Sequence, residues 1–189
     1  MLKCHSTRAA KLAAAIVTTL SLAAVAGTAA AEGAAELESA ARASLEHLYA
    51  TTPAARTLGA EAKGILVFPQ VGKLGFIFAG EFGVGALLKG EETAGFYNIA
   101  EVSAGYQAGI EKFSYALFFM TDSALTYLDQ SGGFSVGAGP SLTVVDKGFA
   151  ANMNTSTVRD DIYAFEYGEQ GLMGGIGLSG SKITRYHPK

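Results

Sequence analysis

The stretch AKGILVFPQVGKLGFIFAGEFGVGALL, residues 62–88, decides the fold. From residue 74 onward its even positions are large and apolar or Gly/Ala, whereas its odd positions are mostly small. This period of two predicts a β-strand or hairpin with one face on a core. Pro69 breaks the first apolar run, Ile65–Phe68, because proline cannot donate a hydrogen bond to a sheet. Three glycines between residues 80 and 85 are expected to mark a bend or to let another backbone layer approach closely.

The rest of the chain combines two helical patterns with several strand patterns. Residues 34–50 carry leucines on one stripe and an i, i+4 charge ladder on another, which predicts an amphipathic helix ended by Pro53. Residues 122–130 predict a short internal helix, capped by Thr121 or Asp122. Apolar runs, alternating or continuous, predict further strands at 95–110, 115–120, 134–145, 162–167 and 172–185.

These elements together predict the fold class. We expect an α+β domain built on a twisted, largely antiparallel sheet, open or barrel-like. An N-terminal amphipathic helix and one short internal helix accompany the sheet. The short apolar runs are better suited to a soluble sheet packed by helices than to a lipid-spanning one.

The first 31 residues are typical of a secretory signal peptide. Lys3, Arg8 and Lys11 precede an apolar run, and a small-residue site follows at 29–31. Retention of this segment as an anchor is the alternative. The chain's one cysteine, Cys4, lies within it. We therefore predict that residues 32–189 form a single domain without a disulfide, in the periplasm or outside the cell.

Charge disfavours nucleic acid as a partner. Three of the 14 bases precede residue 32 and none of the 17 acids does, so residues 32–189 carry a net charge of about −6. Basic side chains would have to cluster in space to hold an anionic ligand.

The motifs of common enzymes lack the context that they need. Residues 133–137 match G-x-S-x-G, but they lie in a strand pattern followed by Pro140, where a nucleophile elbow needs a helix. Residues 175–180 match G-x-G-x-x-G, yet too little chain follows for a dinucleotide site. His47 and His187 alone remain after signal removal, which predicts no metal site and no cofactor. Adjacent acids such as Asp160 and Asp161 are typical of solvated turns.

A set of short motifs, in order, resembles the SYLF domain, also called the Ysc84 actin-binding or DUF500 family. Each motif is weak alone, and the ordered set, over about residues 40–185, is specific. The departures are Glu111, where a neutral amide is expected, and Met173, where an aromatic is usual. The matching motifs are Ala62-Lys63-Gly64-Ile65, Phe68-Pro69, Lys73, Gly75-Phe76, Gly80-Glu81-Phe82-Gly83, Gly105-Tyr106-Gln107-Ala108-Gly109, Phe119-Met120, Ala124-Leu125, Gly137-Ala138-Gly139-Pro140, Gly171-Leu172-Met173-Gly174-Gly175 and Leu178-Ser179-Gly180.

The resemblance implies a non-enzymatic lipid-binding domain. Its eukaryotic members bind phosphoinositides and are also reported to bind actin, but actin is a disfavoured partner behind a bacterial-type signal. By analogy we expect an anionic phospholipid of the cell envelope as ligand, peripheral to a membrane. The alternative is an envelope structural or protein-interaction module that holds no lipid.

Three lysines beside family motifs are the predicted lipid-binding residues: Lys63, Lys73 and Lys112. Lysine binds lipid phosphate as a point charge, and three clustered bases at about 1 kcal/mol each would hold a head group. The alternative is that they are isolated, solvated lysines.

Overall fold

A computed structural model of the chain describes residues 33–75, 78–104, 109–130, 133–135, 138–153, 158–168, 171–172 and 181–188. Within these ranges, the structure describes the backbone alone at 73–75, 78–81, 101–104, 109–111 and 171. The described residues fall into two units. One holds residues 33–36 and Pro188, and the other, residues 37–187, holds the whole sheet. The predicted signal peptide, residues 1–31, lies outside the described residues.

Nine strands in the described chain form one sheet. Their order is β5-β9-β3-β2-β1-β4-β7-β6, and β8 pairs with β7. All pairings are antiparallel except that of β6 with β7, which is parallel. The strands are β1 Gly64–Gly75, β2 Phe78–Lys89, β3 Glu92–Ala104, β4 Gly109–Phe119, β5 Phe134–Ser135, β6 Leu142–Val144, β7 Ile162–Gly168, β8 Gly171–Leu172 and β9 Lys182–Tyr186.

The sheet curls into a half-barrel. Phe134 lies on the edge strand β5 and Phe119 on β4, five places away in the strand order. In a flat sheet about 24 Å would separate these strands, at about 4.8 Å per strand. Their rings instead meet edge to face with centroids 6.5 Å apart. The edge of the sheet therefore curves over its middle and encloses an inner face.

Four helices accompany the sheet in the described chain. Residues 33–51 form α1, and Pro53 then opens α2, Pro53–Glu61, at a first-turn position where its missing N–H is not needed. Helix α3 is Asp122–Leu128, and Thr121 caps it by accepting a hydrogen bond from the N–H of Ala124. Helix α4 is Lys147–Asn152.

Each face of the sheet has its own hydrophobic core, because strand residues point alternately to the two sides. The inner cluster joins the strands to α3 through the buried residues Leu66, Phe68, Leu87, Tyr97, Ile99, Phe113, Tyr115, Leu117, Phe119, Leu125, Leu128, Phe134, Ile162 and Ile183. The outer cluster joins the strands to α1 and α2 through Ala41, Leu45, Leu48, Ala55, Leu58, Ile65, Val67, Ala86, Leu88, Ala116, Phe118, Tyr163, Phe165 and Tyr167. Both faces of the central strands are thus buried where the helices cover them.

A β-bulge at Pro69 bends the central strand β1. The register of β1 shifts between Val67 and Gln70 against β2, and again at Pro69 against β4. The carbonyl of Pro69 accepts a hydrogen bond from Ser114 Oγ at 2.8 Å, so the bulge leaves this group paired. Opposite the bulge stands Gly85, where an added Cβ would lie 2.3 Å from the carbonyl oxygen of Val67. The close backbone approach expected of this glycine is confirmed.

The predicted fold class is confirmed, and several details are corrected. The α+β class, the mainly antiparallel sheet, the N-terminal helix and the internal helix are all present. Pro69 does not end the first strand, because the bulge absorbs it. The chain after Pro53 is helical, and α4 was not predicted. The strand predicted at 134–145 consists of two short strands, β5 and β6.

None of the described helices is both long and apolar enough to cross a membrane.

Substituting the bulge-facing glycine should destabilise the domain. Gly85→Ala places a methyl group against the backbone of Val67 and the ring of Phe68, so we expect a loss of about 1–3 kcal/mol in unfolding free energy. Gly72→Ala is the matched control on β1, because nothing lies within 4 Å of its added Cβ, and it should change stability by less than about 0.5 kcal/mol. Urea denaturation measures both, and equal midpoints for the two variants would contradict the assigned packing.

Candidate functional site

A row of residues crosses the outer face of the sheet beyond the helices. The register pairs Lys182 with Ala100, Ala100 with Phe82, Phe82 with Gly72, and Gly72 with Lys112. Side chains of directly opposed residues lie on the same face of a sheet. We call these five residues the exposed row.

The exposed row is open along its length. Phe82 is 59% exposed and is the exposed large hydrophobic residue among the side chains that the structure describes. Lys112, Lys182 and Ala100 are also exposed, and an added Cβ at Gly72 would meet nothing within 4 Å. The row therefore has one aromatic ring above a floor of glycine and alanine.

The two lysines flank the phenyl ring symmetrically. Each lies two strands away from Phe82, on opposite sides, which is about 10 Å at about 4.8 Å per strand. Among the ion pairs formed by the described residues, none involves Lys112 or Lys182. Two cations that pair with none of the described acids, and one ring, thus lie on the same face of the sheet.

The coverage of β2 by helices ends before Phe82. On the same face of β2, Ala86 and Leu88 are buried in the outer cluster under α1 and α2. The sequence pattern of the even positions predicted a core for this whole face. That prediction holds at these two residues and is wrong at Phe82, because the helices do not extend so far along the strand.

Of the three predicted lysines, Lys63 lies far from Lys112 along the sheet. Lys63 precedes β1, and its N–H donates a hydrogen bond to the carbonyl of Phe119, the last residue of β4. Lys112 lies near the other end of β4. Positions 112 and 119 are seven residues apart, which is about 23 Å at about 3.3 Å per residue. Lys73 lies directly opposite Glu81 and Glu111 in the register, and its side chain is outside the described ones. Lys63 and Lys112 therefore do not share a site. Lys112 shares the exposed row with Lys182, which lies four strands away, about 19 Å at about 4.8 Å per strand.

Sequence reasoning missed both Phe82 and Lys182. Phe82 follows the core pattern of its strand, and only the extent of the helices exposes it. Lys182 is 70 residues from Lys112 along the chain. Only the pairing of β9 with β3 brings it into the row, so no local signal marks it.

A second polar cluster fixes β9 to the rest of the fold. Tyr97 donates a hydrogen bond to Asp129 at 2.5 Å, and Arg185 pairs with the same carboxylate at 3.0 Å while lying over the ring of Tyr97. Burial, with the Asp129 hydrogen bond, raises the pKa of Tyr97 well above its usual range. Arg185 also donates to the carbonyl of Ala94. The charge of Arg185 is thus paired within the fold. Arg185 also lines a cleft of about 490 Å³ together with Lys182.

The acids at 160 and 161 hold the ends of two strands. Asp161 accepts hydrogen bonds from the N–H and hydroxyl of Ser141 and from Thr121, and Asp160 accepts one from Thr143. The Ser141 side chain and backbone, followed by Thr121, lower the pKa of Asp161. Both carboxylates thus hydrogen-bond to other parts of the fold. No cluster of side chains suited to a metal ion occurs among the residues described.

The G-x-S-x-G serine lies in a short edge strand. Ser135 is the second residue of β5 and pairs with Lys182. The next helix in the described chain is α4, at Lys147. The strand–turn–helix of a nucleophile elbow is therefore not built around this serine. Residues 175–180, the G-x-G-x-x-G match, lie outside the described residues.

Comparison with protein families gives one match. Residues 100–188 match the family model Ysc84, described as Las17-binding protein actin regulator. No curated protein matches the chain. The match contains Lys112 and Lys182, and it begins at Ala100, after Phe82. The family predicted from the sequence motifs is confirmed over this range.

Removing the Asp161 carboxylate should weaken the fold at neutral pH. Asp161→Asn removes the negative charge and replaces one of the two accepting oxygens with an NH2 group that cannot accept, so we expect a loss of about 1–2 kcal/mol in unfolding free energy at pH 7. The comparison is made by urea denaturation, with Asp122→Asn, an exposed carboxylate at the start of α3, as control.

The effect of D161N should disappear in acid. The pKa of Asp161 is lower in the folded chain than the unfolded value of about 3.9. Its stabilisation is therefore fully present above that value and is lost as the pH falls through the lower folded pKa. A difference between wild type and D161N that keeps its pH 7 value throughout an acid titration would contradict this role.

Proposed function

Residues 100–188 belong to the Ysc84 (SYLF) family, and from this membership and the exposed row we propose that the domain binds anionic phospholipid at a membrane surface. It is a binding module, and the proposal includes no catalytic step. The proposed site is the exposed row, with Lys112 and Lys182 as its charged residues.

One observation carries the proposal. Two cations that belong to distant parts of the sequence lie on one open face, on either side of an exposed ring. A cation without an ion-pair partner attracts phosphate as a point charge, and lysine serves this role without fixed geometry. The row lies on strands of a rigid sheet, so the spacing of its charges is set by the fold.

The local charge matters more than the total charge. The region after residue 31 is acidic overall, but screening limits each charge to about 8 Å at physiological salt. Lysines close to a membrane surface each contribute about 1 kcal/mol of attraction to anionic lipid. Two such lysines give a salt-sensitive contribution of about 2 kcal/mol.

The proposed location follows from the predicted signal peptide. A processed protein would meet the membrane from the periplasm or from outside the cell, as a peripheral protein. The family description names a Las17-binding actin regulator, so a protein partner is the second candidate function. An envelope module that binds protein through this face would need acidic groups opposite the two lysines.

Charge removal on the row should weaken vesicle binding. We expect the purified protein to co-sediment with vesicles of phosphatidylglycerol and phosphatidylcholine, and less so as salt is raised. Lys112→Gln with Lys182→Gln should reduce the partition constant about 30-fold, because about 2 kcal/mol of attraction is lost.

The matched control removes the same charge elsewhere. Lys89→Gln with Lys147→Gln changes two lysines that are exposed and off the row, so its partition constant should change by less than threefold. Lys63→Gln should behave like this control, since Lys63 lies at the other end of β4. Equal losses in both double variants would indicate unspecific attraction, and no binding of the wild type to any vesicle would reject the lipid proposal.

A further inference from the structure

We propose that Phe82 is a membrane anchor that inserts into the acyl layer of a bilayer, so that the ligand of the exposed row is a packed lipid surface and not a single lipid head group. This inference rests on the proposed function and specifies its partner.

The first support is the exposure of the ring. Phe82 is 59% exposed, whereas Ala86 and Leu88, farther along the same face of β2, are buried. Free energy falls when apolar surface leaves water, in proportion to the area that a partner covers. Among the residues of the exposed row, Phe82 therefore contributes the most binding free energy when an apolar partner covers it.

The second support is the shape of the surface around the ring. Gly72 and Ala100 flank Phe82 in the register and offer no side chain larger than a methyl group. The space above Gly72 is empty to at least 4 Å. The ring thus projects from a surface of small residues and does not lie in a groove, so a broad, flat partner fits this surface.

The third support is the charge beside the ring. Lys112 and Lys182 lie about 10 Å from Phe82 on opposite sides. A long lysine side chain can place its ammonium group at the head-group level while an apolar neighbour lies deeper. An aromatic ring between two cations therefore complements an anionic bilayer. The two lysines would meet the lipid phosphates, and the ring between them would meet the acyl chains.

The sequence extends the apolar character along the same strands. Two positions beyond the exposed row, the register aligns Leu74 with Gly80 and Ile110, and Gly80 with Val102. Every residue type at these positions is apolar or glycine. Except for Phe82, the side chains on this part of the face are outside the described ones.

The chain offers a direct test because it contains no tryptophan. F82W introduces a single indole fluorophore at the proposed anchor. Its emission should shift to the blue on binding phosphatidylglycerol-containing vesicles, and lipids brominated on their acyl chains should quench it. The matched control, Ser123→Trp, lies exposed on α3, which packs on the inner face, and it should show neither effect.

The ring and the two lysines should each contribute separately to the affinity for vesicles. Phe82→Ala should reduce the partition constant about tenfold and leave the salt dependence unchanged, whereas Lys112→Gln with Lys182→Gln should flatten the salt dependence. Dibutyrylphosphatidylglycerol, which is water-soluble, carries the same head group and should leave the emission of F82W unchanged. An unchanged urea midpoint shows that each variant is folded.

The outcomes separate this inference from the proposed function. Vesicle binding without a blue shift or quenching in F82W would overturn the anchor and leave the lipid proposal in place. A blue shift with the soluble lipid would identify a single-lipid site and overturn it as well. A blue shift that rises with protein concentration, without vesicles, would assign the ring to contact between copies. Failure of the wild type to bind any vesicle would overturn both.

Discussion

The fold depends on how the backbone of β1 passes Pro69. Proline cannot donate to a neighbouring strand, so the chain bulges there in the central strand of the sheet, and Ser114 and Gly85 accommodate the bulge from the two flanking strands. A bulge increases the local bend and twist of a strand. This bend, in the middle of the strand order, is well placed to help the sheet curl until its edge meets its centre, and the curl creates the enclosed inner core around α3.

The curl and the helices together decide which surface remains open. Helices α1 and α2 bury the outer face over part of the strand length only, so the sheet is covered on both sides there and on one side beyond. The same strand of alternating residues therefore supplies both a core and a surface. Phe82 lies in the uncovered part, and the extent of the helices accounts for its exposure.

The proposed function uses two properties that a sheet provides well. Register sets the distances between side chains on neighbouring strands, and rigidity keeps those distances when a ligand binds. Lys112 and Lys182 contribute charge, and Phe82 contributes apolar surface between them. Charge attracts an anionic surface over several ångströms and weakens with salt, whereas apolar burial acts on contact. The two effects complement each other at a membrane, where both chemistries lie within one layer.

The sequence by itself determined the fold class, most of the strands, α1, α3 with its Thr121 cap, and the family of residues 100–188, because these depend on short-range periodicity and local motifs. It did not determine that the chain continues through Pro69 as one strand, that α2 follows Pro53, or that the even face of β2 changes from buried to exposed. It placed Lys63 and Lys112 in one site, although the sheet sets them at opposite ends of β4. It gave no sign of Lys182, which reaches the row only through the pairing of β9 with β3. These features depend on which segments pair and how far helices cover a face, and such long-range contacts leave no periodic trace in the chain.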